Sequence, residues 1–254
     1  MGSMALYIIG IGLSDEKDIT LKGLEAVKKC DFVYLETYTS ILQCPLSRLE
    51  KLYGKKIMPA DRDLVEKNSD EILEKAKAKD VAFLVVGDPM SATTHIDLML
   101  RAKEKGIEVK VIHNASILTA VGITGLQLYK FGKVTSIPFP ENVKAETPYN
   151  VLKVNKQNKM HTLVLLDLEL EKKKFMMAND AIRILLGIEE RKKENIFTEE
   201  TFAVGCARLG SDDFFIKAGK AGELLKVDFG KPPHCLIVPS EMHFMEEEAL
   251  KEFY

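Results

Sequence analysis

Residues 81–98 read VAFLVVGDPMSATTHIDL. The apolar, β-branched run at 81–86 fits a strand buried on both faces, and it stops at Gly87. A turn into a helix accounts for only part of residues 88–95: Asp88 and Pro89 organise a turn, and Ser91 or Thr93 can cap a helix by accepting from its free N–H groups. Glycine, acid, proline and successive small residues together point instead to backbone that leaves room for a small molecule at a strand end.

Outward from this stretch, the first hundred residues alternate short β-rich runs with helical spacings, the pattern of parallel strands joined by crossover helices. ALYIIGI (5–11) and DFVYLE (31–36) are strands; between them Leu21, Leu24 and Val27 mark one face of a helix that Asp18 or Thr20 caps. PLSRLEKLYG (45–54) opens with proline and closes with glycine, the usual asymmetry of a helix, and KKIMPA follows as a short strand. Val65, Ile72, Leu73 and Ala76 form a helical stripe in the polar run 61–79. A helix through Ile96, Met99 and Leu100 and the strand EVKVIH (108–113) complete a first α/β domain, 1–114.

Beyond it, NASILTAVGITGLQLYKFG (114–132) is too apolar for a surface helix and predicts a helix packed between two layers. TSIPF, HTLVLLDL, TFAVGCA and HCLIVPS are the strands of a second α/β domain, 115–254, with a less regular sheet. EERKKE (189–194) reads as a solvated helix end.

At 254 residues, 46% hydrophobic and 29% charged, the chain can bury a full core. A net charge of -2 gives no basic footprint, so direct binding of nucleic acid is not expected. Cys30, Cys44, Cys206 and Cys235 are scattered, with no CxxC pair and no histidine at ligand spacing, which argues against zinc and disulfides and suits a reducing cytoplasm. No run approaches the roughly 18 apolar residues of a membrane span. Met1-Gly2-Ser3 ahead of Met4 reads as an expression scar.

P-loop, HExxH, GxSxG and calcium-loop signatures are all missing. What remains is a set of breaks at strand ends: GIGL (10–13), GDPMSATTH (87–95), HNASIL (113–118), LLDL (165–168), CARLG (206–210) and PPHCLIV (232–238). GxG alone is weak, because the third glycine of a dinucleotide fingerprint is absent. Asp167 interrupts an apolar strand, so it must sit at a strand end or meet polar partners. Jointly these breaks suggest a ligand cleft.

LYIIGIGL, DITLKGLEAVKKCDFVYLETYTS, VAFLVVGDPMSATTH, VIHNASI, GLQLYKFG, MHTLVLLDL and CARLGSDD together resemble the diphthine synthase family. That family is a branch of the S-adenosylmethionine-dependent methyltransferases that includes the tetrapyrrole methylases. The resemblance implies a class III methyltransferase fold, two α/β domains with a ligand cleft between them, and a homodimer. It implies repeated methylation of the 3-amino-3-carboxypropyl histidine of translation elongation factor 2 in diphthamide biosynthesis, with S-adenosyl-L-homocysteine as the by-product. Several segments look closer to the eukaryotic form, for which the product is diphthine methyl ester.

Carried over by motif, the implied cofactor contacts are Leu13, Asp88, Ser91, Ser116 and Ile117, then Asp167, Leu168, Leu209, Gly210 and His234. Ser91 stands where some relatives have glycine, which puts a positive backbone φ there in question. No catalytic base and no metal follow from the resemblance, and 171–198 receives no role. The alternatives are a tetrapyrrole (precorrin) methylase and an inactive S-adenosylmethionine-binding module.

Overall fold

The computed structural model describes residues 4–141 and 146–254, so Met1-Gly2-Ser3, expected to be an expression scar, lies outside the described residues. Contacts divide the chain into two compact units, Met1–Leu118 and Thr119–Tyr254. Among the described residues, no helix is long and apolar enough to cross a membrane.

In chain order the first unit contains β1 (Ala5–Gly10), α1 (Leu21–Lys29), β2 (Phe32–Glu36), α2 (Leu46–Tyr53) and β3 (Met58–Ala60). A π-helical turn (Asp63–Lys67), α3 (Asp70–Ala78), β4 (Val81–Val85), α4 (Ile96–Glu104) and β5 (Glu108–Ile112) follow, and α5 (Ile117–Ala120) closes the unit. The sheet is parallel, in the order β3-β2-β4-β1-β5. Every residue of β4 is buried, as the unbroken apolar run requires of a strand covered on both faces.

Alternation along the strands sends side chains into two cores. Leu6, Ile8 and Phe83 meet Ile72, Leu73 and Ala76 of α3 and Leu98 of α4. Ile9 and Leu84 meet Val27 of α1 and Leu49 of α2 on the opposite face. The stripe at 65, 72, 73 and 76 is buried as its spacing predicts, and Gly54 ends α2 with a left-handed φ of 65°. Two helix faces differ from expectation. Leu21 is exposed, because α1 buries Gly23, Ala26 and Val27, and α4 turns Leu98 and Ala102 inward while Ile96 and Leu100 face solvent.

The second unit contains β6 (Thr135–Ile137), α6 (Thr147–Gln157), β7 (Thr162–Leu166), β8 (Leu168–Glu169), β9 (Lys174–Phe175) and α7 (Ala178–Lys192). β10 (Phe202–Ala207), β11 (Phe215–Lys220), α8 (Ala221–Leu224), β12 (His234–Val238) and α9 (Phe244–Leu250) complete it. Its main sheet runs β11-β10-β12-β7-β6, antiparallel except for the β6–β7 pair. α6 and α7 supply Tyr149, Leu152, Ile182 and Leu185 to the core, against Val164 and Leu236 of the sheet.

Three sequence expectations fail here. The long helix at 114–132 is not formed: α5 gives way to 3-10 turns at Val121–Thr124 and Leu128–Lys130, with Ile123, Leu128 and Tyr129 exposed. Gly125 explains the break. It adopts φ 83°, and a Cβ there would lie 2.2 Å from that of Ala249, so the chain turns where it meets α9. The strand β11 was not foreseen, because FIKAGK mixes glycine and lysine into a short alternation.

The third concerns Glu189, which is not solvated. Its carboxylate accepts from the backbone N–H of Asn195, Ile196 and Phe197 at 2.7, 2.8 and 2.9 Å and from the Tyr149 hydroxyl at 2.7 Å. Burial pushes its pKa up, but these donors outweigh burial and hold it at about 2.

Candidate active site

β4, β1 and β5 are neighbours, so the segments leaving their carboxyl ends meet at one rim of the first sheet. The first two are stitched by their backbones: Ile11 N–H donates to Val85 O at 2.9 Å and Gly87 N–H to Gly12 O at 2.7 Å. A Cβ on Gly10 would lie 2.5 Å from Gly87 O and 2.9 Å from Asn114 Cβ, so only glycine lets all three segments converge. The Asn114 amide bridges them further, donating to Gly10 O and Asp18 O, each at 3.0 Å.

Asp18 and Thr20, alternatives for capping α1, divide the work. Thr20 Oγ1 accepts from Gly23 N–H at 3.0 Å and is the cap. Asp18 Oδ2 accepts from the N–H groups of Leu13 and Ser14, at 3.2 and 2.7 Å, and fixes the GIGL turn. Leu13 is thereby held beside Gly87: a Cβ on that glycine would have Leu13 Cδ2 and Ala115 O as its nearest neighbours, at 3.7 and 3.8 Å.

Asp88 is buried at this junction. Its Oδ1 accepts from Met90 N–H at 2.9 Å and Ser91 Oγ at 3.1 Å; its Oδ2 accepts from Asn114 N–H at 3.1 Å and lies 2.8 Å from His113 Nδ1. Burial raises its pKa, but the four hydrogen bonds prevail and hold the carboxylate below its ordinary range. Asp88 is therefore the buckle between the loops after β4 and β5.

Ser91 and Thr93 do not cap α4. Ser91 Oγ turns to Asp88, and Thr93 Oγ1 donates to Pro89 O at 2.7 Å. The residue preceding α4 is His95, which makes no capping bond. Positive φ falls on Gly87 (85°) and Ala92 (57°), not on Ser91, so serine at that position carries no backbone strain. His95 is buried against Phe83 and Tyr38, with ring centroids 5.4 and 6.3 Å away, and neither ring nitrogen finds a partner. Burial pushes its pKa down to about 4. Ser116 is buried in front of α5, with its Oγ accepting from Leu118 N–H at 3.0 Å, and Ile117 starts that helix.

In the second unit the remaining expected residues gather on one edge of the sheet, at the end of β7, the start of β12 and the end of β10. Asp167 follows β7 and accepts from Phe139 N–H at 2.9 Å and Leu168 N–H at 3.0 Å, which explains a charge beside an apolar strand. Arg208 N–H donates to Pro233 O at 2.8 Å, setting Leu209 and Gly210 (φ 94°) next to His234. His234 Nδ1 accepts from Ala178 N–H at 3.3 Å and its Nε2 donates to Lys231 O at 3.0 Å. Burial lowers its pKa, so this imidazole is a neutral strut at the start of α7.

The bracing by Asp18 and Asn114 was not legible in the sequence. Asp18 reads locally as a helix cap and Asn114 as a turn residue, whereas Asn114 acts across long sequence separations and Asp18 is one of the groups it reaches.

A family model described as Tetrapyrrole (Corrin/Porphyrin) Methylases matches residues 5–225. A Diphthine synthase of Methanocaldococcus jannaschii is 52% identical over 250 residues, covering 97% of each chain. A Diphthine methyl ester synthase of Dictyostelium discoideum is 47% identical over 268 residues, covering 98% of each. Among solved structures, a diphthine synthase matches with a TM-score of 0.90 at 41% identity, over 98% of this chain and 95% of the other. The chain belongs to the tetrapyrrole methylase family, and within it to the diphthine synthases.

Proposed function

We propose that this methyltransferase takes methyl groups from S-adenosyl-L-methionine and places them repeatedly on the amino group of the 3-amino-3-carboxypropyl histidine of translation elongation factor 2. The proposal includes a methyl ester on the side-chain carboxylate, the product for which the Dictyostelium relative is named. The archaeal relative is 52% identical and the eukaryotic one 47%, so the ester is the part of the proposal that a product analysis must decide.

The observation that carries the reading is the convergence of Gly10, Gly87 and Asn114 on the rim where Leu13, Ser91, Ser116 and Ile117 also lie. Glycine at 87 and the small residues after it let the backbone of this loop approach a cofactor closely. Leu13 and Ile117 offer apolar contact, and Ser91 and Ser116 keep the side chains beside them small. The Asp88 carboxylate holds the loop, with both oxygens already meeting protein donors, and the Asp88 backbone is its proposed contact with the cofactor. Asp167, Leu168, Leu209, Gly210 and His234 complete the proposed contacts by the family resemblance.

The cofactor supplies an already activated methyl on a sulfonium. The protein's part is to hold an amine in line with it, a positioning effect worth up to about 7–11 kcal/mol. A cytoplasmic homodimer is part of the proposal.

Incubation with methyl-labelled cofactor tests it against the tetrapyrrole reading. Label is expected on elongation factor 2 bearing the aminocarboxypropyl histidine and not on a precorrin-type macrocycle. Label on the macrocycle alone reverses the assignment, and no cofactor binding at all removes both.

A further inference from the structure

One group at the rim has no part in the proposed cofactor contacts. His113 stands just past β5, with its side chain 69% exposed, while the carboxylate it meets is 6% exposed. Its Nδ1 lies 2.8 Å from Asp88 Oδ2. Asp88 is held below the ordinary carboxylate range and accepts hydrogen bonds on both oxygens, so it takes a proton on His113 Nδ1. In a neutral ring so oriented, Nδ1 carries the hydrogen and Nε2 keeps a lone pair. A histidine oriented by a buried carboxylate, at the rim of the proposed ligand site, is the arrangement of a proton acceptor.

The chemistry requires one. An alkylamine carries a proton near neutral pH, and every methyl added to it releases a proton. We propose that His113 Nε2 accepts the proton from the substrate ammonium before each methyl transfer, with Asp88 orienting the ring; this rests on the methyltransferase reading above. In each cycle the N–H electron pair stays on nitrogen as the proton passes to Nε2. That lone pair then forms the new N–C bond while the C–S pair returns to sulfur, leaving a thioether and a new ammonium. The imidazolium gives its proton to solvent, which reaches this largely exposed side chain, and the base is ready for the next round.

The charged group against the ring is Asp88, from the segment after β4. Asp18, on the turn after β1, spends Oδ2 on the amides of Leu13 and Ser14. On β5 itself, Lys110 pairs with Glu108 and reaches the Tyr7 hydroxyl.

His113→Gln keeps a side-chain hydrogen-bond donor for Asp88 and lacks a basic nitrogen. Its kcat is expected to fall by about 10²–10⁴-fold at neutral pH, with calorimetric affinity for S-adenosylhomocysteine unchanged. The deficit is expected to shrink as pH rises and the amine loses its proton unaided, and added imidazole is expected to restore part of the rate to His113→Ala. Nitrogen NMR of the unliganded protein is expected to show the Nδ1–H tautomer at His113.

A His113→Gln enzyme equal to wild type at every pH, or a deficit that is constant with pH and unmoved by imidazole, overturns the proposal while leaving the methyltransferase reading intact. An Nε2–H tautomer overturns it as well. A wild-type protein that transfers no methyl group overturns both.

Discussion

Ser91 carries the most direct residue-level prediction. Its hydroxyl is tied to Asp88 Oδ1 at 3.1 Å, on a loop whose backbone strain sits on its neighbours Gly87 and Ala92. Ser91→Phe demands no positive φ and puts a bulky ring where the proposed site needs a small residue. Cofactor affinity measured by calorimetry is expected to fall by more than about tenfold, roughly 1.4 kcal/mol, with the fold retained. An unchanged affinity would remove this loop from the site.

His95 makes a different prediction, on stability. It is neutral in the folded protein, with a pKa of about 4 against 6.5 in the free chain. Below pH 6.5 the unfolded chain therefore binds the extra proton. The folded state has its full stability above that pH and loses it as the pH falls towards 4, by about 2 kcal/mol between pH 7 and pH 5. His95→Phe has no ring nitrogen to protonate, so urea titrations at the two pH values are expected to show a smaller loss than in wild type. Equal losses would mean that His95 does not set this dependence.

At the scale of elements, the site is made by three strand ends brought side by side by the order β4-β1-β5, and Gly10 is where they touch. Gly10→Ala forces its Cβ against Gly87 O and Asn114 Cβ. It is expected to cost about 1–3 kcal/mol in denaturant unfolding and to weaken cofactor binding, because the loops must separate. Wild-type affinity in that variant would show that the convergence is not what shapes the site.

The strands of this unit were legible in the sequence because β4 is apolar at every position and its neighbours alternate against two helical layers. The helix expected at 114–132 was not. Its composition is that of a buried helix, but Gly125 has to meet Ala249, a contact that local periodicity cannot reveal. Glu189 failed for the same reason: within EERKKE it looks solvated, and only the turn back through Asn195, Ile196 and Phe197 places donors around it. The site followed the same rule. Glycines and small residues marked the loops, whereas the bonds from Asn114 to Gly10 and Asp18 span 104 and 96 residues.

For the whole molecule, each unit gathers its expected site residues on a single sheet edge. Leu13, Ser91, Ser116 and Ile117 lie at the rim of the parallel sheet; Asp167, Leu168, Leu209, Gly210 and His234 lie at one edge of the mixed sheet. Both edges carry a positive-φ glycine, Gly87 or Gly210, and a carboxylate, Asp88 or Asp167, that accepts from backbone N–H groups. The proposed homodimer is expected to sediment at twice the chain mass at micromolar concentration, and sedimentation as a monomer would exclude it. The measurement that tests the central claim most directly is a crystal structure with S-adenosyl-L-homocysteine bound. The account predicts the ligand in contact with Leu13, the backbone of residues 87–91, and Ser116 and Ile117, with the Asp88 carboxylate still engaged by Asn114 and His113; a ligand seated away from the ends of β1, β4 and β5 would contradict it.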